Sequence, residues 1–169
     1  MAMTSEPKSP SETRVEMTHL VMPTDANVLG TAFGGRIMQW TDLAGAIAAM
    51  RHARVPVATA SIDQLSFLAP VRIGHVAVLH AQVNASFGTS MEVGVEVLSE
   101  DPRTGERRKC CDAFLTFVAL GADGRPTQVR PLRPETEEER RRAADALVRR
   151  ESRLALRAAL RAGGRAAGS

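Results

Sequence analysis

The sequence predicts an α+β fold: a curled antiparallel sheet wrapped around one central, buried helix, with a second helix at the C-terminus. Three observations carry this. Residues 36–54 (RIMQWTDLAGAIAAMRHAR) read as a helix of about five turns that is apolar in nearly every direction. Four strand patterns follow in succession, separated by turn residues, each with one apolar face. One further strand pattern precedes the helix. With 169 residues, the chain holds one domain with a sizeable core and is too short for a tandem of two.

The elements follow in order. Residues 1–12 are rich in Ser, Pro and Glu and read as a disordered leader. Residues 13–22 (TRVEMTHLVM) alternate loosely and stop at Pro23, as a strand does. Residues 23–35 (PTDANVLGTAFGG) are dense in turn formers. In the helix, Ile37, Met38, Trp40, Leu43, Ala44, Ile47, Ala48, Ala49 and Met50 point around the whole wheel, and between Ile37 and Met50 polar side chains stand only at Gln39, Thr41 and Asp42. A helix apolar all round is one buried on all sides. Its small residues, Ala44, Gly45, Ala46, Ala48 and Ala49, let a sheet approach closely. Strand patterns then cover 57–71 (interrupted at Pro70), 75–87, 91–97 and 107–120, with turns at Gly88-Thr89 and 101–105. One-faced strands in sequence imply an antiparallel meander that is wet on its other side. The domain is therefore expected over 13–123 and a Pro-rich linker over 124–134. A helix is expected over 135–161, opened by a Thr136–Glu139 capping box with a thin stripe of Ala143, Leu147 and Leu154, and a disordered tail over 162–169.

The formal net charge is +3, and its placement matters more than its size. Residues 135–169 hold nine Arg against six acidic residues, so the tail carries the excess and the body is neutral. A solvated helical face is the preferred reading of this, ahead of an anionic partner. Nucleic acid is not expected, because the sequence has no Tyr and the tail has no Phe or Trp to stack on bases. No run reaches the ~20 apolar residues of a membrane span. The polar N-terminal stretch lacks the apolar core of a signal peptide, so a cytoplasmic location is expected. Cys110 and Cys111 are adjacent and do not form a spaced disulfide framework. His19, His52, His75 and His80 show no metal-ligand spacing, and the sequence has no G-x-S-x-G, C-x-x-C or H-E-x-x-H motif. Neither a metal nor a cofactor is expected.

Two features carry chemistry. Asp42 is the one carboxylate within the apolar helix, where burial costs several kcal/mol unless the group is paired or kept for reaction. Pairing with His52, or with an Arg across an interface, is the structural alternative. Gly34 and Gly35 stand at the helix entrance, where unpaired N–H groups and the helix dipole point outward. One such donor aimed at a developing oxyanion is worth about 3 kcal/mol of barrier. Asp42 lies two helical turns past Gly35, roughly 10 Å away, too far for both to meet one carbonyl. A two-fold dimer that brings Asp42 of one chain to Gly35 of the other removes the difficulty.

The stretch from Pro23 to Gly30 (PTDANVLG), then Phe33-Gly34-Gly35, Met38, Asp42 and Gly45-Ala46-Ile47, resembles the signature of the acyl-CoA thioesterase family. Asp63 with 67–74 (FLAPVRIG) resembles its second block and 114–118 its last strand, so the similarity spans about 13–123. That family includes small bacterial enzymes and the mammalian cytosolic acyl-CoA hydrolase. The resemblance implies a hotdog fold and a dimer with two interface sites, usually assembled as a trimer of dimers (a hexamer). It implies an acyl-CoA substrate, with Asp42 as general base on water and the Gly34-Gly35 backbone binding the thioester carbonyl. It makes Asn27, Thr31, Phe33, Gly34 and Phe67 candidates for substrate contact and Arg72 a candidate for a CoA phosphate. Thr31 departs from the Asn or Asp that relatives often carry after the glycine. Two other readings use the same fold. A hydratase or dehydratase needs a histidine beside its acid, and a non-catalytic acyl-CoA-binding protein has no use for a buried carboxylate beside a thioester.

Overall fold

The structure, a computed structural model, describes residues 6–166, with side chains described through Ala162. Strand β1 (Val15–Leu20) leads to helix α1 (Gly34–Ala53), followed by β2 (Val57–Phe67), β3 (Val76–Phe87), β4 (Ser90–Glu100), β5 (Arg107–Ala119) and helix α2 (Glu137–Ala166). The strands form one antiparallel sheet in the order β1-β3-β4-β5-β2, so β1 and β2 are its edges. The sheet curls around α1, which gives the expected hotdog arrangement.

Side-chain size explains how closely sheet and helix meet. Ala44, Ala48 and Ala49 are fully buried on α1 against Leu79, Val83, Val93, Leu115 and Phe117 of the central strands. At Gly45 a Cβ would stand 3.0 Å from the Phe117 ring, so any larger residue there would push that ring away from the helix. Phe117 itself is wholly buried. β2 departs from regular pairing twice, where Ala60 and Asp63 are the extra residues against β5. Such bulges re-aim side chains, and both flank positions that matter below.

The structure corrects several expectations. The helix is not covered on all sides within one chain: Met38, Leu43 and Met50 are 41%, 49% and 41% exposed. Together with Asp42 and the half-buried Ala46 they form a stripe along α1 that the sheet leaves largely uncovered. The leader is not disordered from residue 8 onward. Lys8 and Ser9 are buried, a short 3-10 turn spans Pro10–Thr13, and Lys8 pairs through its backbone with Pro131 and Arg133. Its ammonium donates to the Arg51 carbonyl at 2.5 Å, placing a cation at the C-terminal end of α1. Residues 1–5 lie outside the described residues. The linker is also ordered, since Val129 is buried and its N–H bonds Gly88 O at 2.8 Å. The tail is helical as far as Ala166, and 167–169 lie outside the described residues.

The largest correction concerns the sheet's outer face, which is wet only in part. Helix α2 lies across it, burying Gln82, Asn84, Glu92 and Thr116. Of the expected stripe, Leu147 and Leu154 are exposed, and the contact is made instead by fully buried Ala146 and by arginines. Arg149 bonds Glu92 at 2.7 and 3.1 Å, and its guanidinium lies 3.7 Å over the Phe114 ring. Arg153 bonds Asp63 and Thr116. Two of the arginines that made the tail basic, Arg149 and Arg153, are thus spent on carboxylates of the chain's own sheet.

His52 is fully buried in α1, and its Nε2 donates to the Arg130 carbonyl at 2.9 Å while Nδ1 has no partner. Burial holds its pKa below the ordinary 6.5, and the nearby Lys8 and Arg130 cations push the same way. The unfolded chain therefore takes up this proton at higher pH than the folded one. Stability contributed by neutral His52 is complete above about pH 6.5 and falls as pH drops below it. The expected results are a melting temperature that declines on acidification below about pH 6.5 and an NMR titration in which the His52 ring takes up its proton at a lower pH than an exposed histidine does. A ring titrating at its ordinary value would contradict this account.

Candidate active site

The loop between β1 and α1 builds the helix entrance. Asp25 braces it three ways: its carboxylate accepts from Met22 N–H at 3.0 Å and pairs with Arg36 at 3.2 Å, and its carbonyl accepts from Phe33 N–H at 2.8 Å. Asn27 Oδ1 accepts from Leu29 N–H at 2.9 Å and from the Thr31 hydroxyl at 3.2 Å, an Asx turn that leaves its amide nitrogen as the group able to donate outward. Thr31 continues as a bridge to Arg72, so the two expected contacts sit side by side.

Helix α1 then begins at Gly34 with Phe33 as an N-cap that makes no side-chain hydrogen bond. Arg36 and Ile37 turn their N–H groups back to Phe33 O at 2.8 and 3.2 Å. The two preceding N–H groups, of Gly34 and Gly35, have no carbonyl a turn earlier to bond. Two aromatic rings flank them. Phe67 lies 3.4 Å from where a Cβ of Gly34 would be, and Phe33 lies 3.1 Å from where one of Gly35 would be. Both rings are otherwise largely exposed. An apolar cavity of about 390 Å³ opens beside Gly34, lined by Ile37, Phe67, Val71, Cys110 and Cys111 among others. Burial pushes the Cys111 thiol up to about 11, so it stays neutral as part of the wall.

Asp42 is half-buried rather than enclosed, and it pairs with neither His52 nor an arginine within the described residues. Its Oδ1 accepts a 2.7 Å hydrogen bond from the Thr59 hydroxyl. Thr59 sits on the edge strand β2 next to the bulge at Ala60. Sequence reading missed Thr59. A signal existed only in the β2 pattern, where a threonine faces the helix amid small residues, and helix-to-strand pairing is not visible from spacing. Asp63, part of the second matching block, faces away from this site and anchors α2 through Arg153 and Thr116. Arg72 is exposed and makes no salt bridge among the described residues. Within one chain the structure gathers Asn27, Thr31, Phe33, Gly34, Gly35, Phe67 and Arg72 at the helix entrance. Asp42 and Thr59 stand apart, two turns along α1.

No histidine bonds Asp42, and among the described residues no cluster of His, Cys, Asp and Glu is arranged to hold a metal. No helix among the described residues is long and apolar enough to cross a membrane.

A five-stranded curled sheet around a helix, with unpaired amides at the helix entrance and a carboxylate two turns on, defines the class. The chain belongs to the thioesterase superfamily, whose family model matches residues 29–106. Within it, the chain is 41% identical over 136 residues to the uncharacterized acyl-CoA thioester hydrolase YkhA of Bacillus subtilis, covering 80% of this chain and 79% of that one. The acyl-CoA hydrolase of Staphylococcus aureus, solved with butyryl coenzyme A, coenzyme A and coenzyme A disulfide, matches with a TM-score of 0.88 at 34% identity, covering 97% of this chain and 100% of that one. An apo-hexameric acyl-CoA thioesterase matches with a TM-score of 0.86 at 41% identity, covering 90% of this chain and 99% of that one.

Proposed function

We propose that this chain hydrolyses acyl-CoA thioesters to the free acid and coenzyme A, with Asp42 as general base on water and the backbone at Gly34-Gly35 of a second copy as the oxyanion site. The observation that carries the reading is the Thr59–Asp42 pair, set in an uncovered apolar stripe beside the open β2 edge. Thr59 donates to one carboxylate oxygen and leaves the other for water. Water loses its proton to Asp42 as its oxygen attacks the thioester carbon, and the carbonyl electrons move onto oxygen facing the amide N–H groups. The oxyanion then collapses and breaks the C–S bond. The departing thiolate takes up a proton, as thiols with a pKa near ~8.5 do readily. The apolar cavity beside Gly34 suits the acyl tail, and Arg72 suits a phosphate of the nucleotide.

Alanine mutants of the Staphylococcus aureus hydrolase at an aspartate, a threonine and an asparagine have been solved, the last with coenzyme A bound. Those three carry numbers one higher than Asp42, Thr59 and Asn27, which supports assigning these residues to one site. The test is thiol release from a series of acyl-CoAs, which neither a hydratase nor a binding protein produces.

Thr59 acts through Asp42 as a positioning residue. A hydrogen bond to a charged group is worth about 1.5–3 kcal/mol, so Thr59→Val is expected to lower kcat roughly 10- to 100-fold with KM nearly unchanged. Thr59→Ser, which keeps the donor, is expected to restore most of the rate. Equal losses in the two variants would assign Thr59 to packing instead.

Three observations support a dimer. β2 is an open edge, as a second copy's β2 would need. Met38, Leu43 and Met50 leave an apolar stripe bare beside it. Asp42 and Gly35 of one chain lie too far apart to share a carbonyl. Light scattering is expected to show a dimer or a hexamer, and a fully active monomer would sink the shared site.

A further inference from the structure

Helix α2 is longer than the sheet it crosses. Near its start Glu139 meets Arg14, which adjoins β1, at 3.7 Å, then Arg149 meets Glu92 on β4, and Arg153 meets Asp63 on β2. From Glu139 to Arg153 is about 21 Å of helix, and four strand spacings of ~4.8 Å come to about 19 Å. The helix has therefore crossed the whole outer face by Arg153. It continues to Ala166, and Arg157 is the last side chain lining the groove over β2. Beyond Arg157 it runs about another 13 Å, past the open edge.

The chemistry of α2 changes along with its surroundings. Its contacts to its own sheet are made by Glu139, Ala146, Arg149 and Arg153, while Val148, Leu154, Leu156 and Leu160 are exposed. Leu156 and Leu160 share one helix face by their spacing. Val148, Leu154 and Leu156 border an open groove of about 780 Å³ whose floor includes Ile62 of β2. Polar anchors hold the helix to its own chain, while Val148, Leu154 and Leu156 border the groove over its own β2 and Leu160 stands in the overhang.

We infer that the C-terminal part of α2 is an intersubunit clasp, in which the Leu156 and Leu160 face of one copy closes the β2–α2 groove of a second copy. This rests on the dimer across β2 proposed above. A second copy is the occupant because the overhang lies beyond β2 on the outer face, where continuing the sheet across that edge places the partner's β2 and α2. A two-fold axis also requires one patch to meet itself, and this patch supplies both the apolar helix face and the groove that receives it.

The test is the full-length double variant Leu156→Glu/Leu160→Glu, which leaves the Arg149 and Arg153 anchors in place. Light scattering, melting temperature and thiol release are followed over one dilution series for variant and wild type, with circular dichroism to confirm folding. The variant is expected to dissociate at a protein concentration at least ~10-fold higher than wild type, with activity lost in step and kcat unchanged where the dimer is saturated. Dissociation curves that coincide would overturn the clasp while leaving the β2 dimer standing. A hexamer that falls to stable dimers would also overturn it, by placing the helix at a different contact. A wild type that is an active monomer would instead remove the dimer on which the clasp depends.

Discussion

Replacing Asp42 by asparagine is expected to lower turnover at least ~10²-fold, the usual loss for a positioned base, with KM little changed. Asparagine keeps the shape and still accepts from the Thr59 hydroxyl, whose bond to Asp42 Oδ1 is 2.7 Å. It cannot take a proton from water. Because the carboxylate is half-buried and has no ion-pair partner in its own chain among the described residues, the exchange creates no buried orphan charge, and the variant is expected to fold and assemble as wild type does. Steady-state kinetics on an acyl-CoA, with light scattering on the same sample, checks both points. Wild-type turnover from a correctly assembled variant would remove Asp42 from the mechanism.

The second large effect is on stability. Glu92 is 1% exposed and owes its charge balance to Arg149, with the Asn84 amide donating to the same carboxylate at 3.1 Å. Arg149→Met leaves that carboxylate buried without its cation, and breaking a buried pair from one side costs about 3–5 kcal/mol. For a chain of this size that corresponds to a melting temperature lower by roughly 6–20 °C. Adding Glu92→Leu is expected to recover most of the loss, since replacing both partners by apolar groups removes the charge to be desolvated. Melting curves of the two variants decide the matter. A single variant as stable as wild type would show that water reaches Glu92 and that α2 is only loosely seated. Catalysis is expected to change little, because Arg149 and Glu92 lie on the face of the sheet opposite α1 and the site.

These two residues show where sequence reading succeeds and where it stops. Asp42 was legible because one carboxylate interrupts a run of apolar helix positions, a local contrast that needs no fold to be seen. The strands were legible in the same way, since alternation such as Met91, Val93, Val95 and Val97 against Glu92, Gly94 and Glu96 is a short-range pattern. That pattern assigned Glu92 to a wet face. It could not show that a helix more than forty residues later would cover that face and supply Arg149. Thr59 escaped notice for a related reason, because its meaning comes from standing across from Asp42 on a different element.

By itself, then, the sequence determined the elements, their order, the helix entrance and the single carboxylate, since each depends on neighbours within a few residues. Only the tertiary structure decided what covers each face. Arg149 and Arg153 of α2 are spent on Glu92 and Asp63, while Met38, Leu43 and Met50 are left bare. The physical reason is that periodicity records how apolar a surface is and says nothing about which surface will meet it. An all-round apolar helix reads as buried on every side. The side that its own sheet leaves uncovered is the side a second copy is proposed to bury.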